Sequence, residues 1–138
     1  MVALIPSKLQ FLECVCARWK LRLIEENIFA NLYQNKLGKW LDVPSEFPGA
    51  SSNWAIFSIR TQRRDELITA LSQQGIETRI YYKLPLHLQP IFAKYPRSLS
   101  KLLVVEKICK EIVSLPLNPF LTDDEADIIV DAIERFFQ

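Results

Sequence analysis

Glycine and histidine are scarce in this chain, with three glycines and one histidine among 138 residues. Gly38, Gly49 and Gly75 stand far apart, so no glycine-rich strand-to-helix turn is available to cradle a phosphate. Cysteine is also sparse. Cys14-x-Cys16 has no second cysteine pair, and His87 is the sole imidazole, so a four-ligand zinc site cannot be completed. On a helix, Cys14 and Cys16 would also point in different directions. With Cys109 the count is odd and lacks framework spacing, which argues against a secreted disulfide scaffold and for ordinary reduced thiols. No apolar run reaches the roughly 20 residues that span a bilayer. The opening Met1-Val-Ala-Leu-Ile-Pro6 lacks the basic region and the length of a signal peptide. A cytoplasmic location without metal or membrane is therefore expected. Charge excess is missing too: 17 basic and 16 acidic residues leave a net charge of +1. They are mixed along the chain, with no basic stripe for nucleic acid and no polybasic patch for a membrane.

What is present describes a soluble globular domain. The chain is 49% apolar and 24% charged, the usual balance for a folded domain. Its length fits one domain and lets it bury about two-thirds of its unfolded surface.

Hydrophobic periodicity predicts a long first helix from Ser7 to about Gln34, with Ser7 after Pro6 as N-cap. Leu9, Leu12, Cys16, Trp19 and Leu23 recur at steps of three and four and mark one apolar face. Leu21, Ile24, Ile28 and Leu32 form a second set partly around the cylinder. Two apolar faces call for two packing partners, the second expected to be another domain or another subunit. Residues 38–52, with Pro44, Pro48 and Gly49, read as a connecting loop. Trp54 to Arg60 reads as a central strand covered on both sides, because both of its faces are largely apolar.

A second helix is predicted from Arg63 to Gln74, opened by Thr61 or Gln62, with Leu67, Ile68 and Leu71 inward. Gly75 suits the left-handed position after it, and Ile76 the hydrophobic return. Glu77 to Tyr82 alternates like a strand. Pro85 and Pro90 bracket an irregular segment around His87. A third helix, Leu99 to Glu111, aligns Leu102, Val105, Cys109 and Ile112, and Ile112 to Leu115 is a short strand stopped by Pro116 and Pro119. Thr122-Asp-Asp-Glu125 is a capping box for the last helix, whose first-turn acids complement the helix dipole. Ile129, Ala132, Ile133 and Phe136 form its buried stripe. The order α-β-α-β-α-β-α could be a parallel βαβ sheet. The missing glycine turn and the long leading helix favour an α+β fold of two layers, a short mainly antiparallel sheet with helices on one side. One domain is expected over residues 1–138, with a linking helix at 7–35 and the α+β part at 53–138.

Three blocks in the second half carry a resemblance. They are Arg64-Asp-Glu-Leu67 with Gln74-Gly-Ile76, Tyr82-Lys-Leu-Pro-Leu-His-Leu-Gln-Pro90, and Ser114-Leu-Pro-Leu-Asn-Pro-Phe-Leu-Thr122. In this order and spacing the chain resembles the DegT/DnrJ/StrS family of pyridoxal-phosphate-dependent aminotransferases, which act mostly on nucleotide-linked keto sugars. The resemblance covers roughly Lys8 to Phe137, more loosely before Trp54. It implies the small domain that closes over an active site shared by two subunits, and a homodimer or a missing large domain as partner of the helix Ser7–Gln34. Such enzymes hold the cofactor on a lysine in a Ser-(Phe/Tyr)-x-x-x-Lys setting followed by glycines, and none of the nine lysines here has that setting. Transamination needs that lysine and a partner for the pyridine nitrogen. The resemblance thus implies a truncated C-terminal domain with no cofactor site and no catalytic residue of its own, inactive alone. Half of a split aminotransferase, or a non-catalytic binding or dimerisation module, remains an alternative.

Tyr81, Tyr82 and His87 are the candidate substrate contacts, offering rings for stacking and polar tips for hydrogen bonds to a nucleotide sugar. Many relatives have histidine at the position of Tyr81 and a second one near Ala55, both near the sugar-nucleotide entrance. Tyr81 and Tyr82 also fit half-buried packing at a strand end, and His87 fits a loop histidine satisfied by nearby backbone. Arg79 could face an anionic group but reads first as a solvated strand arginine, and the prolines as setters of loop shape.

Overall fold

The computed structural model describes residues 27–92 and 102–138. The expectations placed on residues 1–26, including Cys14, Cys16 and the face from Leu9 to Leu23, lie outside the described residues, as does the start of the third helix.

Residues 27–37 are helical (α1). Phe29, Ala30, Tyr33 and Leu37 are its buried side chains. Ile28 is 55% exposed and Leu32 half-buried, so the described end of the helix packs a different face from the one its second apolar set suggested. Tyr33 fixes that face, because its hydroxyl donates to the Pro116 carbonyl at 3.0 Å.

The sheet is small and antiparallel. Strand β1 (Phe57–Arg60) pairs with β2 (Ile112–Leu115) in the register Phe57↔Leu115 to Arg60↔Ile112. Single bridges extend it at both edges, Asp42 with Arg60 and Arg79 with Ser114. The predicted strand at Glu77 to Tyr82 is thus reduced to one bridge. The strand predicted from Trp54 begins three residues late, with Trp54 at φ +47°. Ser52 Oγ accepts from Trp54 N, and Asn53 Oδ1 from Ala55 N; these local side-chain turns compete with the ladder. Ala55 and Ile56 are consequently exposed. Of β1 itself, Phe57 and Ile59 are buried while Ser58 and Arg60 are half-buried. One face, not both, is fully covered.

That face enters a single core. Phe57, Ile59, Val113 and Leu115 join Tyr33 and Leu37 of α1, Leu67 and Leu71 of α2 (Arg64–Gln73), and Ile129, Val130 and Ile133 of α4 (Asp123–Phe137). Helix α2 begins where Thr61 Oγ1 accepts from Arg63 N. It ends in a Schellman turn, with Ile76 N donating to Leu71 O, Gly75 N to Ser72 O, and Gly75 at φ +76°. An L side chain is strained there, which is why glycine occupies the position. The capping box of α4 is complete: Glu125 N donates to Thr122 Oγ1, and Thr122 N to Glu125 Oε2. The stripe of α4 buries Ala126 and Val130 as well as Ile129, Ala132 and Ile133, with Phe136 half-buried. Phe136 packs under the Arg63 guanidinium, 4.3 Å from its ring centre.

Helix α3 (Leu103–Glu111) departs from its predicted stripe, since only Cys109 is buried and Val105 is 41% exposed. A polar tether replaces an apolar seam, with the buried Arg64 guanidinium donating to the Cys109 carbonyl at 2.7 Å. The architecture is α+β, a small antiparallel sheet with helices. Among the described residues no helix is long and apolar enough to cross a membrane.

Candidate functional site

The bridge to Ser114 holds Arg79 at the sheet edge, with Tyr81 two residues further along the chain. Beside them runs an open groove of about 500 Å³, within the size range of small-ligand sites. It is lined by the turn Gln74-Gly75-Ile76 and by the segment from Ser114 to Asn118, with Leu121. Ala55 and Ile56, exposed by the late start of β1, also line it, as do Glu125 and Ile128 of α4. Two of the three motif segments, and the residue that precedes the third, therefore converge on one concavity.

The groove's chemistry suits binding. Leu115, Leu117, Ile56 and Ile128 give it an apolar side. The Gln74 amide, the Arg79 guanidinium and the Tyr81 ring supply donors and a stacking surface. Arg79 Nη2 donates to Glu77 Oε2 at 3.0 Å, and both side chains are exposed, so the pair is screened and open to exchange with a ligand. Hydrogen bonds from the Thr122 backbone and then its hydroxyl hold the Glu125 carboxyl below its ordinary range. Ser114 is buried, its hydroxyl 2.8 Å from that of Ser58. Asn118 Oδ1 is engaged by Phe120 N at 2.9 Å.

The three predicted contacts do not meet in the groove. Tyr81 lines it and is 56% exposed. Tyr82 is 76% exposed and does not line it. His87 sits in the one-turn 3-10 helix Leu86–Leu88, with Nε2 3.3 Å from Glu106 Oε1 on α3. A side chain, not nearby backbone, is its partner. Sequence reasoning gave no role to Gln74, Ser114 or Asn118 in the groove, nor to Glu106. The glycine stop and the Ser-Leu-Pro block flagged the right segments, but contacts between elements carry no local signal. Among the described residues, no three histidine, cysteine, aspartate or glutamate side chains are grouped to hold a metal ion.

Comparison with known proteins matches this arrangement to a family. The sequence model of the DegT/DnrJ/EryC1/StrS aminotransferase family matches residues 6–134. The chain is 36% identical over 110 residues to the pleiotropic regulatory protein of Geobacillus stearothermophilus, covering 80% of this chain and 30% of that protein. It is 32% identical over 96 residues to the dTDP-3-amino-3,4,6-trideoxy-α-D-glucose transaminase of Streptomyces venezuelae, covering 70% and 25%. Among solved structures it superposes on a DegT DnrJ EryC1 StrS aminotransferase from Brucella abortus with TM-score 0.78 at 34% identity, covering 84% of this chain and 31% of that one. On DesV of S. venezuelae, solved in complex with a ketimine intermediate, the TM-score is 0.85 at 27% identity, covering 94% and 35%. The chain thus spans about a third of the length of the relatives it matches. On the family match, which takes in nearly the whole chain, this protein belongs to the DegT/DnrJ/EryC1/StrS aminotransferase family.

Proposed function

We propose that residues 1–138 form the carboxy-terminal small domain of a pyridoxal-phosphate-dependent aminotransferase for nucleotide-linked sugars, joined by its first helix (7–35) to a cofactor-bearing part or a second subunit. In this reading Tyr81, Tyr82 and His87 belong to the face turned toward substrate, and the chain supplies binding and closure but no bond-making group. The observation that carries it is the convergence of two of the three motif segments on the groove that Tyr81 lines. Tyr81 and Ala55, the two positions near which relatives bear histidine, both line that groove.

The described residues do not fit the cofactor. Lys36, Lys39, Lys83, Lys107 and Lys110 are all exposed, and none lines the groove. Lys39 is paired with Glu134 and Lys107 with Glu111. An imine needs a lysine sheltered beside the ring and a cradle for the phosphate, and neither is found among the described residues. No catalytic step is assigned to this chain.

Two probes test the reading. Titration with dTDP and UDP should move the amide resonances of Gln74, Arg79, Tyr81 and Asn118 and saturate in the millimolar range, as half of a shared site would. Pyridoxal phosphate followed by borohydride should label surface lysines weakly and without saturation. Groove resonances indifferent to both nucleotides would remove the substrate-facing assignment. Stoichiometric labelling of one lysine at micromolar cofactor would remove the cofactor-free one.

A further inference from the structure

The segment after Tyr81 leaves the body of the fold. From residue 81 to 92 only Pro85 is buried. Among the described residues, its backbone hydrogen bonds run within the turn, from Leu88 N to Pro85 O, Gln89 N to Leu86 O and Phe92 N to Gln89 O. Short 3-10 turns bracketed by Pro85 and Pro90 are stiff within themselves. With so little buried, such a segment can swing as a unit unless something ties it down.

Helix α3 is fixed from its other end. Cys109 is buried and its carbonyl takes the Arg64 guanidinium at 2.7 Å. Thr61 N donates to the Glu111 carbonyl at 3.1 Å, and Arg60 reaches the Glu111 carboxylate at 3.5 Å. Glu106, in the first turn of this anchored helix, meets His87 with side chains 28% and 25% exposed. The Glu106 carboxylate can only accept, so the contact sets the ring with an Nε2–H, which one neutral tautomer and the imidazolium both carry. A carboxylate acceptor makes it stronger than a neutral pair.

We propose that Glu106 is a positioning residue: by holding His87 it fixes the turn 85–92, and through the turn the direction in which Tyr81 and Tyr82 project. The consequence for substrate rests on the function proposed above; the latch itself does not.

Hydrogen exchange and NMR on the full chain test it. Glu106→Ala should speed exchange of the Leu88, Gln89 and Phe92 amides about tenfold and shift the ring resonances of Tyr81 and Tyr82. The amides of Cys109 to Glu111 and of Ile129 to Ile133 should be unchanged, which separates loss of the latch from fraying of α3. Glu106→Gln keeps an acceptor for Nε2–H and should restore most of the protection. Unchanged turn exchange and tyrosine rings in Glu106→Ala would overturn the proposal, as would a Gln variant no better than Ala. With dTDP as probe, Glu106→Ala should weaken the response at Tyr81 severalfold. If the latch behaves as expected and the unaltered chain ignores dTDP, the latch stands and the substrate reading falls.

Discussion

In the helix-and-sheet body, Tyr33, Leu37, Phe57, Ile59, Leu67, Leu71, Val113 and Ile133 are fully buried. Along residues 81–92 and the start of α3, residues of the same types stand in water: Tyr82 is 76% exposed, Leu86 66%, Ile91 68% and Val104 71%. Composition does not separate the two regions; the number of layers does. The body has α1, α2 and α4 on one face of its sheet, so an apolar side chain there meets neighbours on several sides. The limb has a polar tie, His87 to Glu106, and a helix moored through the Arg64 guanidinium. Stability should therefore reside in the body.

Substitutions in the two regions should split accordingly. Phe57 is fully buried and meets the Tyr33 ring edge-on at 5.3 Å. Phe57→Ala should cost about 3–5 kcal/mol, read as a lower urea midpoint. A loss under about 1 kcal/mol would mean that the core does not close around β1 as described.

Tyr33 sharpens the comparison through pH. Burial pushes its hydroxyl well above the ordinary tyrosine range, so its folded value exceeds its unfolded one. Its contribution is complete below about pH 10 and is lost as pH rises toward the folded value, because only the unfolded chain then releases the proton. Urea unfolding followed between neutral pH and pH 11 should show this alkaline loss. Tyr33→Phe should remove that loss and cost about 1 kcal/mol at neutral pH, since the Pro116 carbonyl loses its donor. An alkaline slope unchanged in the variant would assign the effect to other groups.

The smallest effect belongs to the limb. Leu86→Ser should leave the urea midpoint within about 0.5 kcal/mol of the parent. A larger loss would show that the turn is packed against the body and would erase the distinction between the regions.

Much of this was legible in the chain itself. Thr122-Asp-Asp-Glu125 spells out its own helix start, because both partners of the capping box lie within four residues. Gly75 with Ile76 marks the end of α2 for the same reason. The antiparallel, α+β character followed from short strands without a glycine turn. Other expectations failed where distant or competing contacts decide. Trp54 has the propensity of a strand residue, but Ser52 and Asn53 bend the backbone first. Val105 fits a helical stripe, yet nothing among the described residues buries it.

By itself the sequence determined what is local: caps, stops, the periodicity of α2 and α4, and the three blocks that carry the family likeness. Only the tertiary structure decided that Arg64 is buried on the Cys109 carbonyl, that Tyr81 lines the groove while Tyr82 and His87 do not, and that His87 answers to Glu106. Those pairings join residues 19 to 45 positions apart. Hydrogen bonds and packing act over a few ångströms in space, and a one-dimensional pattern reports such neighbours only when they are also close along the chain.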